Sequence, residues 1–569
     1  LVPIVYRDGF QQMHEALARH NWLFFRESDN FDRGFEQLIS AIDTDLAHVR
    51  LHTRLLERAI EWKKERRSQS FLLRGEDLER SHNWLVQAEQ KEPKPTELQQ
   101  EYISNSQASE EAQKVLKAVE HASQILADAR RQTSYEVPKL RIRWTWIPKI
   151  TLGMTVPILL IRMLGVLQGW EWKLLDQFFL LRPMESRDER ITIIKIEESD
   201  ITRFGSKVPD RVLAQALNII KAAKPRVIGL NLYRGRTAET DLEQFFQSTP
   251  NFFGVEKSLG KRIAPPSTLK QLGQVGFSDI VLDIDGTVRR ALLSMRLDNQ
   301  VQTGLATQLA LRYLETEKVI PEQSESGRVR LGKTIFDPLK PNDGGYVDGD
   351  TGGYQILLNY RGTQTNFFAF SLQQILNGQV PAEQLHDRVI LIGTATEDVE
   401  DGINSPYSKY WFERIPKVVL QANMISQLLS AALDGRPLLR CWTKPLEGLW
   451  IVGWVGIGAV ISWWFRSPIR LIVSAGLVSC GLIGGCYSAF LIGWWLPVLP
   501  ALLGFLGGTI ALSLVRNKQF DHLRFQHTLT LLLQARRDYP TAGQIAIEYL
   551  KQSETKENQV LIDRQLNQH

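Results

Sequence analysis

Cysteine is scarce in this chain. There are three in 569 residues, and Cys441, Cys480 and Cys486 all fall in or beside the apolar C-terminal part. That excludes a disulfide framework and a zinc site. Charge of one sign is scarce too: 68 Lys and Arg stand against 63 Asp and Glu, a net of +5. With no stripe of interleaved basic and aromatic residues, so small an excess excludes the usual footprint of a nucleic-acid partner. Neither an initiating Met nor a secretory leader precedes Leu1, so the sequence reads as starting inside a longer protein.

Charge is missing altogether from Leu471 to Val515. That run is more than twice the roughly 20 residues needed to cross a bilayer core. It divides at Ile492-Gly493-Trp494 into two spans, Leu471–Leu491 and Trp495–Val515, and a third apolar run covers Leu446–Phe465. Trp450, Trp454, Trp463, Trp464, Trp494 and Trp495 cluster here, several near span ends, as aromatic belts do. A fourth run, Ile147–Leu167, is interrupted by Lys149 and Arg162, and Arg162 can snorkel from near its end. Arg466, Arg470, Arg516 and Lys518 mark two loops as cytoplasmic, as do Lys139, Arg141 and Arg143 before the first span. These outweigh Arg440 and Lys444 on the other side. The turn at Gly493 and the long segment between the first two spans are then outside, with both chain ends inside.

The long segment alternates strands and helices. Ile191–Glu197 and Val227–Leu232 read as buried strands, and Asp210–Ala223 between them as a helix with Leu213, Leu217 and Ile220 on one face. The unit is βαβ, so its strands should be parallel. Later strands are expected at Ile356–Asn359 and Val389–Ile392, and a helix at Val418–Leu429. The expected class is α/β, with helices on the faces of the sheet.

Ile280-Val281-Leu282-Asp283-Ile284-Asp285-Gly286-Thr287 matches the DxDGT signature of haloacid-dehalogenase-type phosphatases. There Asp283 would be the nucleophile and Asp285 the general acid, with Mg²⁺ on the phosphate. The downstream acidic pair such enzymes need is poor: Gly393-Thr394-Ala395-Thr396-Glu397-Asp398 has Thr394 where an Asp is expected. The competing reading, which the sequence favours, is an Asp-Gly turn joining Val281–Leu282 to Val288–Leu293.

Other motifs follow in order. Trp172-Lys173-Leu174-Leu175-Asp176 leads to Leu181-Arg182-Pro183, and Pro209-Asp210-Arg211 opens a helix. Gly276-Phe277-Ser278-Asp279 precedes Asp283 to Asp285 and then Arg289-Arg290. Asn359-Tyr360-Arg361-Gly362, Val389 to Thr394, Asp401 and Ala422-Asn423 complete the set. This series, from about Trp170 to Leu439, closely resembles the second type of CHASE domain, an extracellular sensor of bacterial signalling proteins, whose members typically carry three membrane helices immediately afterwards. Asn231 departs from the family's usual acidic residue, and the loop around Arg236 is unlike the common one. A ligand site is expected at strand-end loops, and Asp279, Asp283, Asp285, Arg289, Arg290 and Asp401 are the polar residues to test.

At the N-terminus, Leu1–Tyr6 and Trp22–Phe25 read as strands, and Phe10–Ala18 and Phe31–Ile42 as helices. The segment resembles the C-terminal half of a Toll/interleukin-receptor (TIR) domain. His52-Thr53-Arg54-Leu55-Leu56, Phe71-Leu72-Leu73-Arg74-Gly75 and Glu92-Pro93-Lys94-Pro95-Thr96 resemble the linker that follows such domains. Some TIR domains cleave NAD through a glutamate on a helix that would precede Leu1, so no NAD-cleaving residue is assigned. Ala108, Ala112, Val115, Val119, Ala122, Leu126 and Ala129 follow heptad spacing, which fits either a dimeric coiled coil or a plain amphipathic linker helix. The tail is helical at Gln526–Arg536 and Ala542–Lys551, broken at Tyr539-Pro540, and carries no nucleotide-binding loop, kinase set or cyclase motif.

The expected architecture is an α/β external sensor domain plus four transmembrane α-helices, with a partial α/β TIR remnant and a helical linker at the N-terminus. Its parts are 1–45 (TIR part), 46–145 (linker), 146–168 (first span), 169–444 (sensor), 445–515 (three spans) and 516–569 (tail). The expected function is a homodimeric multi-pass sensor in the cytoplasmic membrane, without catalysis or cofactor, whose extracytoplasmic ligand is unknown. A membrane-anchored scaffold is the alternative, and a phosphatase the remote one.

Overall fold

A computed structural model describes residues 4–6, 22–43, 45–136, 144–204, 208–235, 239–323, 328–395, 402–408 and 414–567. The chain forms two compact units, Leu1–Arg141 with Gln519–His569, and Ile142–Lys518.

In the first unit Ile4–Val5 and Leu23–Phe24 pair in parallel, followed by the helix Phe31–Asp43. The expected helix Phe10–Ala18 lies outside the described residues. Helix Leu46–Lys64 starts at Asp45, whose carboxylate accepts from the Ala47 and His48 amides. It packs with Glu76–Gln87 and the long helix Glu97–Glu136 around Leu55, Ala59, Trp62, Trp84, Tyr102 and Ile103. The tail helix Pro540–Ser553 lies against the far part of that long helix, where Ala122 and Ala129 meet Leu529, Ala546, Ile547 and Leu550. The heptad seam is therefore split. Its C-terminal half is covered by the chain's own tail, while Ala108, Ala112 and Val115 stay exposed.

The second unit is built on a six-stranded parallel sheet: Ile191–Ile196 (β1), Val227–Asn231 (β2), Phe252–Glu256 (β3) and Val275–Phe277 (β4) are joined late in the chain by Phe368–Ser371 and Val389–Thr394. Between them in sequence come Arg290–Leu297 (β5), Gln300–Thr303 (β6) and Tyr354–Leu357 (β7), an antiparallel sheet with β5 at its centre. Phe368–Ser371 is β8 and Val389–Thr394 is β9, so the parallel order is β8-β1-β9-β2-β3-β4. β1 and β2 are parallel, as the βαβ pattern implies, but β9 lies between them. The expected strand Ile356–Asn359 falls at β7, in the second sheet. Every residue of β9 through Gly393 is buried, which is why it reads as an unbroken apolar run.

Four helices among the described residues are long and apolar enough to cross a membrane: Trp146–Met163, Lys444–Trp464, Pro468–Leu491 and Val498–Asp538. The uncharged run breaks where expected, at Gly493, whose φ of +93° suits glycine. Trp494–Trp495 then pairs in parallel with Arg440–Cys441. The second and fourth span helices touch through glycine. A Cβ on Gly458 would overlap the Phe505 carbonyl, and one on Gly508 the Val455 carbonyl. Small residues allow this close backbone approach inside a bilayer. Arg516 donates to the Ser462 and Phe465 carbonyls at the end of the second span helix, satisfying carbonyls that the helix leaves unpaired.

Candidate functional site

The helix Gln168–Leu181 follows the first span after a short turn, and Glu171, Trp172, Leu175, Phe178 and Phe179 are buried on it. These lie at helical spacing, so one stripe enters the core. Three sets of contacts start from this one helix.

The first set joins it to the spans. Arg162, near the end of the first span helix, donates to Glu447 of the second at 2.8 Å and lies 3.7 Å from Glu171. Arg162 and Lys444 also donate to the Gly344 carbonyl, at 2.9 and 3.1 Å. Glu447 is fully buried, and one of its oxygens has no hydrogen-bond partner. Burial pushes the Glu171 carboxyl up to about 7, against the pull of Arg162.

The second set joins it to the motif between the two sheets. Arg289 donates to both oxygens of Asp176, at 2.9 and 2.6 Å. The same guanidinium reaches Asp283 at 3.0 Å and Asp285 at 2.7 Å. Arg290 donates to the other oxygen of Asp283 at 2.9 Å, and the Tyr346 hydroxyl donates to Asp283 at 3.0 Å. Burial raises the Asp176 carboxyl despite Arg289. At the half-exposed Asp285 burial also acts upward, but Arg289 outweighs it and holds the carboxyl below its ordinary range.

The third set is aromatic. Phe178 and Phe179 meet Phe490 of the third span helix at centroid distances of 5.7 and 5.0 Å, and the Tyr487 hydroxyl donates to the Leu181 carbonyl. Residues 344–347 tie the sets together. Gly344 packs on the Trp495 ring, Tyr346 packs on Trp172, and the Val347 amide donates to Gln168.

The Asp-Gly turn is present. The Gly286 amide donates to the Asp283 carbonyl at 2.8 Å, and the Asp283 amide to the Thr287 carbonyl at 3.0 Å. β4 ends at Phe277 and the expected strand at Val281–Leu282 does not form, so the turn is the tip of a hairpin without a first arm. A phosphate approaching Asp283 would have to displace Arg289, Arg290 and Tyr346, which hold both oxygens.

Asp283, Asp285, Arg289 and Arg290 are thus brought together. Asp279 faces elsewhere, accepting from the Ser258 and Leu259 amides at 2.8 and 3.1 Å. Asp401, Arg236, Thr396, Glu397 and Asp398 lie outside the described residues. Asn231 sits at the carboxyl end of β2 and accepts from the Ser278 hydroxyl at 2.6 Å. Sequence reasoning did not single out Glu171, Glu447 or Tyr346. A glutamate inside each of two apolar helical segments was the available signal, because a charge there needs a partner.

The remaining motifs hold backbone. On the helix Lys417–Leu429, Asn423 accepts from the Arg361 amide, and Gln427 accepts from the Asn359 amide while donating to the Leu357 carbonyl. A Cβ on Gly362 would overlap the Asn366 side-chain amide, so a larger residue would have to push that amide aside. These bonds clamp the chain beyond β7 to the helix that leads toward the second span.

Comparison with known proteins gives one family. Residues 151–460, just over half of the chain, match the model of the CHASE2 domain. No curated protein and no solved structure matches the chain.

Proposed function

The chain belongs to the CHASE2 domain family, and from that premise we propose that it is a multi-pass membrane sensor whose α/β domain lies outside the cytoplasm. A stimulus acting on that domain moves the helix Gln168–Leu181, which passes the change to the spans. The receiver is the TIR-like N-terminal region, and the chain works as a homodimer joined through linker and spans. The observation that carries this reading is the convergence on Gln168–Leu181: Glu171 with Arg162, Asp176 with Arg289, and Phe179 with Phe490 bind it to two spans and to the domain at once. On this reading the Asp283 turn is a fastening, and no hydrolysis of p-nitrophenyl phosphate with Mg²⁺ is expected.

Reporter fusions after Arg143, Leu339 and Arg516 test the topology. Only the Leu339 fusion should report outside. A Leu339 fusion reporting inside sinks the external-sensor reading. A scaffold without a small ligand is the second reading, favoured by the internal pairing of Asp283, Asp285, Arg289 and Arg290. Crosslinking that captures one stable partner, with no ligand effect, would support it.

A further inference from the structure

The helix Gln168–Leu181 keeps one bare apolar face among the described residues. Trp170 and Leu181 are 64% and 67% exposed, and Met184, just beyond the helix end, is 82% exposed. Met163, Leu164 and Val166, at the end of the first span and in the turn that follows it, are exposed as well. The bare face therefore continues the surface that the span presents to lipid. A contiguous apolar surface of this kind marks a binding face.

The height of this helix is fixed at both ends. Near its start, Glu171 lies 3.7 Å from Arg162 in the last turn of the first span helix, and Arg162 meets Glu447 in the first turn of the second. At its finish, the Leu181 carbonyl accepts from the Tyr487 hydroxyl at 2.8 Å, and Phe178 and Phe179 pack on Phe490. Tyr487 and Phe490 belong to the closing turns of the third span helix, Pro468–Leu491. The 14 residues of Gln168–Leu181 reach about 21 Å. Each of these contacts falls at a span end on the domain's side, so the helix runs along the bilayer boundary and not away from it. At about 3.6 residues per turn, Glu171 and Phe178 face the spans, Leu174, Leu181 and Trp170 come next around the helix, and Gln177 and Lys173 follow. Apolar positions thus lie beside the spans and polar ones beyond them. The Lys173 ammonium lies over the Trp170 ring, 5.3 Å from its centre.

We propose that this helix lies in the bilayer leaflet nearest the domain, with Trp170, Leu174 and Leu181 between the headgroups and the first acyl carbons and Lys173 at the phosphates, so that phospholipid is the partner it reads. Helices with one apolar face, a Trp on it and a Lys at its edge take this position. A helix so placed meets the lateral packing of the lipid directly, and the Asp176–Arg289 pair hands any displacement to the domain. The proposal rests on the sensor reading for what the lipid contact signals, although the contact itself does not.

The test uses the full chain in phosphatidylcholine membranes doped with a phosphatidylcholine that carries a diazirine near the glycerol end of one acyl chain. After illumination, tryptic peptides are scored for lipid adducts by mass spectrometry. Trypsin releases residues 150–162 of the first span, residues 174–187 (Arg182-Pro183 resists it), and residues 212–221 of the helix Asp210–Ala222, whose core holds no span residue. Residues 174–187 should carry adducts within about threefold of 150–162 and about tenfold above 212–221. Leu181→Glu, at an exposed position, should lower them about threefold, and Leu181→Phe should not. Adducts on 174–187 no more frequent than on 212–221 in the unmodified chain overturn the proposal, whatever the variants do. So do adducts found in nanodiscs holding one chain but lost in vesicles holding many, which would assign the bare face to a second copy. Adducts as expected, with the Leu339 fusion reporting inside, would keep the lipid contact and sink the external sensor. Correct topology without adducts would do the reverse.

Discussion

Two seams in the second unit hold helices by opposite means. Around Gln168–Leu181 the contacts are charged: Asp176, Asp283 and Asp285 meet Arg289 and Arg290, and Glu171 and Glu447 meet Arg162. Between the second and fourth spans the contact is nearly bare backbone, through Gly458, Gly504 and Gly508. The solvent explains the difference. Outside a bilayer, apolar burial already drives collapse, so paired charges can specify which helix goes where, at a desolvation cost that good geometry must offset. Within lipid that drive is absent, and close packing of small residues takes its place. Disturbing the charged seam should therefore leave stranded charges, while disturbing the glycine seam should push helices apart.

Asp283→Ala gives the largest expected effect. It takes the carboxylate partner from the buried Arg290, one of three carboxylates from Arg289 and the acceptor of the Tyr346 hydroxyl, and should destabilise the domain by roughly 3–5 kcal/mol, read as a drop in thermal unfolding temperature in detergent. A drop no larger than that of an exposed-site control such as Glu189→Ala would mean that the cluster is not structural.

Gly508→Leu comes next. It forces a side chain onto the Val455 carbonyl and should cost about 1–3 kcal/mol. Gly481→Leu, whose added Cβ meets nothing within 4 Å, should be neutral in the isolated chain. Equal losses in the two variants would refute the glycine seam.

The charged seam should also respond to pH. The Glu171 carboxyl is raised from 4.5 to about 7 by burial, so the folded chain holds a proton that the unfolded chain has released. Its contribution is complete below about pH 4.5, falls as pH rises toward 7, and is gone above that. Glu171→Gln should flatten this part of the melting profile. A slope that survives the substitution assigns it to another group.

The smallest effect belongs to Thr509→Val. The hydroxyl donates to the Gly458 carbonyl at 3.2 Å and the Phe505 carbonyl at 2.8 Å. A hydrogen bond between membrane helices averages about 0.6 kcal/mol, so unfolding in detergent should shift barely above error. A loss as large as that of Gly508→Leu would mean that polar bonding, not close approach, holds the spans.

The sequence made the lipid-facing parts legible because a missing charge is a local property. The break at Gly493 and the tail break at Tyr539-Pro540 both stand where the residues put them. β1, β2 and β9 were equally plain, each a short buried run. Their order was not. β9 enters between β1 and β2 from far along the chain, and nothing local to either strand records its neighbour. The polar cluster was half legible for the same reason. Asp283 and Arg289 are six residues apart, but Asp176 lies 113 from Arg289 and Tyr346 lies 63 from Asp283. Asp279, within the same motif, turns to the Ser258–Leu259 backbone because its carboxylate meets two amides there.

The short ladder between Arg440–Cys441 and Trp494–Trp495 acts as a yoke. It ties the strand that enters the second span to the turn joining the third and fourth. A load arriving along that strand would be shared by three helices instead of bending one, and severing the yoke would leave each helix to carry it alone.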